Sequence, residues 1–486
     1  MSKQFDAVII GSGIGGLTCG AFLARAGMKV AVLERHYTIG GYAHSFRRGD
    51  YRFESGIHSV SLAPDGFIHH LLRLLGVESE IEAIAHEAMY SYTIGDRSYR
   101  IPVHTEAIID QLRSDFPAQS GNIDRLFSEM RRFYESLITP LFHFEERFID
   151  KDRDFIARYF NRSYTDHLQS FLTDRKLVEI FSCQWPFWGM PPEKSPTIYP
   201  FLAFYVHALE GSHHIKGGFS RLADALALAI RRHGGTVRTG VEVSALSVDN
   251  GVVRAVTTAD GEQIEADVFV SNISPFKLHR EMVPEQARSK MWLRRLRNLV
   301  PSVSAVGVYC GLHRPVSFPG GSGLDFWFSE GDCTGIYESA VGGGPQTPRR
   351  LVFLHSSQPG EKPTMLVLYF VNGNSSGDWK NDKMRYAEQM IEKTSRLIPG
   401  FREAIDYFEV ASPATFERFS GNTLGALYGF ENTKEVYGEA RIPSATYIRN
   451  LFQAGHWCKP GGGVWNVMEC GYTTAHLILN GGQFDS

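Results

Sequence analysis

The chain of 486 residues has no charge excess to speak of: 50 Lys and Arg stand against 53 Asp and Glu, a net charge of −3. Without a basic stripe, nucleic acid is not an expected partner. Nor is there a block of like charges that would form an interaction tail. Its six cysteines (19, 183, 310, 333, 458 and 470) include no CxxC pair, so neither a metal cluster nor a disulfide framework is expected, and no metal ligands are assigned. No apolar run approaches the ~18 residues of a membrane span. There is no internal repeat and no low-complexity segment. The opening "MSKQFDAVII" runs directly into an apolar strand, with no room before it for a signal or transit peptide. These absences together lead to the expectation of a reduced, cytoplasmic, globular protein of two or more folding units, since single cores stop growing near ~250–300 residues. Aromatic residues are plentiful, with 33 Phe and 20 Tyr, which suits either a large core or an apolar tunnel.

Chemistry enters with "DAVIIGSGIGGLTCGAFLARAGMKVAVLER", Asp6 to Arg35. An apolar strand leads into Gly11, Gly13 and Gly16, the GxGxxG spacing, with Ile14 and Gly15 between them. A helix over Leu17–Ala26 follows, then a second strand ending in Glu34. Strand, glycines, helix, strand and acid in this order predict an α/β dinucleotide-binding unit. Gly11 permits the turn, Gly13 admits a pyrophosphate, and Gly16 lets helix and strand touch. The helix N-terminus offers N–H groups to the phosphates, and Glu34 can accept from ribose hydroxyls. Arg35 follows directly. A second glycine pair, Gly40-Gly41, then precedes a strand-like "YRFES" and the run "FESGIHSVS". A backbone loop at that place suits the longer ligand FAD better than NAD; a plain hairpin turn is the structural alternative.

The segment His214–Pro275 reads as a helix ended by Gly234-Gly235, strands with turns at Asn250-Gly251 and Asp260-Gly261, and a return strand ending at Asn272. Val243 would offer a strand edge to an adenine. The tail "YIRNLFQAGHWCKPGGGVWNVMECGYTTAHLIL" gives a strand ending in Gly455, the loop Gly461–Gly463, and a helix from Val464. Such a loop suits a flavin's pyrimidine end. His456, Trp457 and Lys459 are secondary candidates for lining it. Two segments fit neither piece, the aromatic helical stretch 105–210 and the mixed stretch 276–411. The expected organisation is therefore a discontinuous FAD-binding domain (1–104, 211–275 and 412–486) with an inserted substrate domain (105–210 and 276–411) of sheet plus helices. "GGGPQTPRR", Gly342 to Arg350, is expected to be an exposed loop. Phe133, Leu137 and Leu141 share a helical face, which suits either a buried helix or peripheral contact with a membrane.

The order of "FESGIH", "KGGFSRLADAL", "ADVFVSN", "SPATFERFSGNTLGALYGF" and "NLFQAGHW…GGGVWNVMECGY" resembles phytoene desaturase-like flavoproteins: desaturases, carotenoid isomerases and retinol saturases. The Gly-Ile-His run is most similar to the saturase branch. The resemblance covers the nucleotide-domain pieces well and the inserted segments poorly. It implies a mixed α/β Rossmann-like fold of the glutathione-reductase/amine-oxidase type, non-covalent FAD, and a long conjugated, isoprenoid-like substrate. It implies cofactor contacts at Ser55, Gly56 and Ile57, beside the positions already named, and places His58 near the flavin ring. On that basis the expected reaction is reduction of a C=C bond, with His58 as proton source and Tyr205, His207 and Glu54 as weaker candidates. The structural alternative is that His58 only shapes the loop. With no second GxGxxG unit, the electron donor is either NAD(P)H or a protein carrier. Desaturation, isomerisation, an amine oxidase and a prenyl-binding escort protein of the GDP dissociation inhibitor type are the competing readings.

Overall fold

The computed structural model describes residues 4–95, 97–138, 153–318, 320–329, 333–342, 348–356, 360–376, 378–437 and 441–481. Around the first glycine fingerprint the chain forms strand β1 (Ala7–Ile10), helix α1 (Ile14–Arg25) and strand β2 (Val30–Glu34). β1 is buried along its whole length, as a parallel strand covered on both faces must be. The helix begins three residues earlier than the sequence indicates, because Gly13, as its N-cap, already takes extended dihedrals. Gly27 (φ +94°) then carries the chain out of it.

Helix α2 (Ile198–Glu210), helix α3 (Ser220–Arg232), strand β3 (Thr236–Thr239), strand β4 (Val268–Ser271), strand β5 (Leu451–Gln453) and helix α4 (Val464–Leu479) complete the frame of the site. Five parallel strands pair in the order β5-β4-β1-β2-β3. β1 lies between β2, its neighbour in sequence, and β4, which arrives more than two hundred residues later. The strand order therefore reverses beside β1, and a crevice opens at the carboxyl ends of β1 and β4. A three-stranded meander with its turn at Asn250-Gly251, both at positive φ, flanks this sheet as the sequence indicates.

A second sheet has seven strands in the order Ile405–Ala411, Ser304–Leu312, Thr364–Val371, Arg350–Ser356, Leu324–Phe328, Ala88–Ile94 and Arg97–Pro102. The hairpin Ala88–Pro102 lies within the stretch assigned from sequence to the nucleotide unit. It pairs instead with Leu324–Phe328, so the boundary at residue 104 falls too late. Its pairing partner is far along the chain, and no local pattern announces it. Arg350 corrects a second expectation. It starts a strand, is fully buried, and its guanidinium sits 3.9 Å over the Trp185 ring; residues 343–347 of the expected loop lie outside the described residues.

Helices Ser120–Leu137, Arg153–Asn161 and α2 pack beside the second sheet around a core rich in aromatic rings. Phe133 is buried there, 4.6 Å from the Tyr159 ring and 5.5 Å from that of Phe201, which answers its helical face with core packing. Leu141 lies outside the described residues. The five cysteines whose side chains are described are buried and form no disulfide. Among the described residues, no helix is long and apolar enough to cross a membrane.

Candidate functional site

A single cavity of ≈ 400 Å³ runs from the crevice at β1 across to the seven-stranded sheet. At its nucleotide end the wall is made by Gly11, Gly13, Ile14, Gly15, Glu34 and Arg35, with Val243 and Asn272 beside them. Glycine is required here by contact. A Cβ on Gly13 would lie 2.3 Å from Asn272 Oδ1, and one on Gly455 2.3 Å from Asn272 Nδ2. Asn272 is thus the point on which both ends of the chain converge, and its Nδ2 donates to the Ala454 carbonyl at 2.8 Å. Gly16 does not line the cavity: its absent Cβ would sit 2.6 Å from the Gly11 carbonyl, so it serves helix–strand packing. Gly15 faces Gly455 in the same way, at 2.8 Å from its Cα.

Glu34 uses both oxygens within the protein. Oε2 accepts from Ser12 N (2.8 Å) and Ser12 Oγ (2.7 Å), and Oε1 from His36 N (2.8 Å). A carboxylate has about four acceptor sites, so capacity for a ribose hydroxyl remains. Arg35 lines the wall but donates to the Arg418 carbonyl at 2.6 Å, clamping the end of the helix Pro413–Ser420. Gly40 (φ +109°) donates to the Ser12 carbonyl at 2.9 Å, and a Cβ on Gly41 would approach the Gly13 Cα to 3.3 Å. The second glycine pair therefore passes backbone to backbone along the first, which a hairpin turn alone would not need.

Midway, Ser55, Gly56, Ile57 and His58 face Gly455, Gly463 and Val464 across the cavity. Ser55 is held by Tyr42 and Tyr309: its Oγ donates to the Tyr42 carbonyl (2.9 Å), and the Tyr309 hydroxyl donates to its carbonyl (2.7 Å). The Gly462 carbonyl accepts from the Tyr199 hydroxyl at 2.5 Å and from Asn466 Nδ2 at 2.7 Å. In a trans peptide the N–H points opposite to the C=O, so tying back this carbonyl turns the Gly463 N–H the other way. Together with the first N–H groups of α4, which have no partner within the helix, it gives this loop the donors an anionic or carbonyl-rich ring edge requires.

Beyond this loop the wall is apolar. Phe187, Leu202, Val206, Phe326, Leu368 and Phe370 form a slot between α2 and the seven-stranded sheet. The His58 ring lies 5.4 Å from that of Phe187, and the His207 ring 5.6 Å from the same phenyl. Burial lowers the His58 pKa to about 4, with His86 and His207 adding to the effect. The ring is therefore neutral at neutral pH. Its Nδ1 has only a long contact, 3.4 Å, with the Gly56 carbonyl. His207 likewise has its pKa lowered by burial, and its Nδ1 is engaged with the Ala203 carbonyl at 2.8 Å.

Two sequence candidates do not reach the cavity. Tyr205 is buried on another face of α2, 5.8 Å from the Tyr134 ring and hydrogen-bonded to Arg131. Glu54 accepts from Ser45 Oγ (2.7 Å) and from the Phe219 N–H (3.1 Å), where it anchors the approach to α3. Burial raises its pKa to about 7. His456 and Trp457 both point to Asn422 Oδ1, at 3.2 and 2.9 Å, and only His456 lines the cavity. Sequence reasoning missed Tyr199, Tyr309, Tyr428 and the slot residues. Asn466 had a signal, being a polar side chain in the first turn after a glycine loop; the tyrosines had none.

A parallel nucleotide fold with glycine cradles from both ends of the chain, opening onto an apolar slot, defines a flavin-type oxidoreductase. The chain belongs to the flavin containing amine oxidoreductase family, whose model matches residues 14–479. It is 23% identical to all-trans-retinol 13,14-reductase of Danio rerio, over 98% of this chain and 86% of that protein. It is also 23% identical to 4,4'-diapophytoene desaturase (4,4'-diapolycopene-forming) of Methylomonas sp, over 98% and 96%. The resemblance to phytoene desaturase-like proteins is borne out by these relatives. Among solved structures, an oxidoreductase from Methanosarcina mazei superposes with a TM-score of 0.65 at 17% identity, over 97% of this chain and 100% of that one. That likeness bears out the mixed α/β fold.

Proposed function

We propose that this protein reduces a C=C bond of a long conjugated, isoprenoid-like substrate by means of a non-covalently bound FAD. One observation carries the reading: a single cavity joins the glycine cradle at Gly13 and Gly455 to the slot lined by Leu202, Phe326 and Phe370. The cradle fits a dinucleotide because its glycines bring bare backbone to the wall, and a side chain at Gly13 or Gly455 would displace Asn272, which lines the same wall. No cysteine is among the cavity's described lining residues, which supports attachment without a thioether bond. We assign the nucleotide-binding unit to the elements around the parallel sheet and the substrate unit to the seven-stranded sheet with its helices.

When bound, reduced FAD supplies a hydride to the alkene. The chain's own residues do the rest. Gly11, Gly13, Ile14, Gly15 and Glu34 would hold the nucleotide, with Val243 and Asn272 beside its adenine and pyrophosphate. Ser55 to Ile57 and Gly455 to Val464 flank the ring. The slot orients the polyene and excludes water. His58 is the proton source through its minor imidazolium form, which takes one proton from solvent for each one it gives to the substrate carbon; burial, by lowering its pKa, makes that form scarcer and a stronger acid. The electron donor is a nicotinamide nucleotide or a carrier protein.

The similarity to the desaturase, which spans more of that protein's length than the reductase match does, favours desaturation as the second reading. Anaerobic mixing of the reduced protein, and separately of the oxidised protein, with a panel of polyene acids, alcohols and carotenoids tests both. Reoxidation of the flavin with a product gain of ~two mass units per turnover supports reduction. A mass loss with reduction of oxidised flavin supports desaturation. Isomerisation at constant mass refutes both.

A further inference from the structure

Arg441 is fully buried directly behind the loop that closes the C-terminal side of the cavity. Its Nε donates to the Cys458 carbonyl at 3.0 Å and its Nη1 to Asn432 Oδ1 at 2.7 Å. Its Nη2 donates to the carbonyls of Tyr428 (3.1 Å) and His456. Tyr428 and His456 both line the cavity, so one guanidinium fixes two separate stretches of its wall. The guanidinium carbon lies 3.3 Å from the place a Cβ on Gly461 would take, immediately beneath the glycine loop.

All four acceptors are neutral. Among the described residues no carboxylate forms an ion pair with Arg441. The acidic groups that face it are the phenols of Tyr199 and Tyr437 and the thiols of Cys458 and Cys470. A buried cation without a carboxylate is costly, and an apolar side chain would spare that cost. A neutral group could hold some of these carbonyls; only a cation adds a field, and in a water-poor interior that field extends past its hydrogen-bond partners. The wall registers it: His456 is driven to a pKa of about 3, by burial first and then by the Arg441 charge.

We propose that Arg441 is a positioning residue of the cofactor site whose charge also holds the reduced flavin as an anion. The inference rests on the flavin reading above. In electron terms, the bound cofactor takes up two electrons with one proton; the second proton stays in solvent. Both parts come from the same side chain. The fork sets the Tyr428 and His456 backbones, and the charge sets the potential.

The test is a redox titration of the full chain loaded with FAD, in wild type, Arg441→Lys and Arg441→Met, repeated across pH. In wild type the midpoint potential should follow one proton per two electrons at pH values where free reduced flavin takes up two. Arg441→Met should weaken binding of reduced relative to oxidised flavin ~10-fold, a fall of about 30 mV. Arg441→Lys keeps the charge and loses the fork, so it should recover most of the potential while melting lower than wild type. Coincident potentials in flavin-loaded wild type and Arg441→Met would overturn the proposal, as would two-proton behaviour in wild type. If Arg441→Met fails to fold, the wild-type pH slope and the lysine variant still decide. A wild-type protein that binds no FAD overturns the flavin reading itself, and this inference with it.

Discussion

The Tyr199 hydroxyl donates to the Gly462 carbonyl at 2.5 Å, tying the inserted helix α2 to the glycine loop that opens α4. The two residues are far apart in sequence and belong to different sheets' surroundings. Their bond makes the geometry of the cofactor loop depend on the substrate side of the molecule. Asn466 Nδ2 shares the same acceptor at 2.7 Å.

Tyr199→Phe alone should therefore have a small effect, about 1 kcal/mol in stability, because Asn466 still satisfies the carbonyl. Tyr199→Phe with Asn466→Ala leaves it buried and unpaired, at a cost of about 1–3 kcal/mol, and frees the loop to rotate. FAD affinity, followed by flavin fluorescence, should fall more in the double variant than the two single effects add up to. Strict additivity would mean that this carbonyl does not orient the loop.

Gly13 and Gly455 meet the same side chain for different reasons. Gly13 has ordinary dihedrals (φ −62°), so Ala there is obstructed only by the Asn272 amide. Gly455 has φ +101°, which strains any other residue whatever the space. Asn272→Ala should restore the melting temperature of Gly13→Ala and leave Gly455→Ala destabilised by about 1–3 kcal/mol. FAD binding should recover with the fold in Gly13→Ala/Asn272→Ala, since the added methyl takes the space of the removed amide. Thermal melts with and without FAD separate the two effects.

Glu54 gives a pH signature. Its folded pKa is raised from 4.5 to about 7, chiefly by burial, so the native state binds more protons than the unfolded chain between those values. Its contribution is full below about 4.5 and is lost as pH rises through about 7. Glu54→Gln should remove a pH dependence of about 3 kcal/mol across that window. The quantity to compare is the wild-type minus variant difference in denaturation free energy at each pH, in which the histidines cancel. They act with the opposite sign: His86 and His214, lowered to about 4 by burial, cost stability as pH falls below their ordinary value. A pH-independent difference would show that Glu54 ionises freely.

His58→Gln should retain FAD, because the ring's one hydrogen-bond contact with the loop is a long one. It should lower kcat by about 10²–10⁴ if the imidazole delivers the proton. Loss of cofactor affinity with kcat preserved in the remaining holoenzyme would make His58 a loop-shaping residue instead.

The nucleotide end of the site was legible in the sequence because its demands are local. A positive φ at Gly40, a close approach at Gly13 and a helix N-terminus after Gly463 each leave a mark within a few residues. Gly-Gly at 40–41 proved as informative as the first fingerprint. The slot was not legible. Helix α2 is buried on nearly all sides, so its apolar pattern has no stripe to show which face Tyr205 takes. The strand Leu324–Phe328 pairs with Ala88–Ile94 across more than two hundred residues, and a fully buried strand carries no alternation to reveal a partner. Arg441, in the sequence a lone Arg near the tail, acquires its meaning from four backbone and amide oxygens that only the fold assembles.

α1 and α4 pack so closely that a Cβ on Gly471 would collide with the Gly15 carbonyl. The two glycine loops they follow lie more than four hundred residues apart, and both line one cavity, so neither segment presents a finished wall without the other. Contacts of such sequence separation form slowly, since a large loop must close before they reward the chain, which makes the crevice a product of the whole fold and of no local motif.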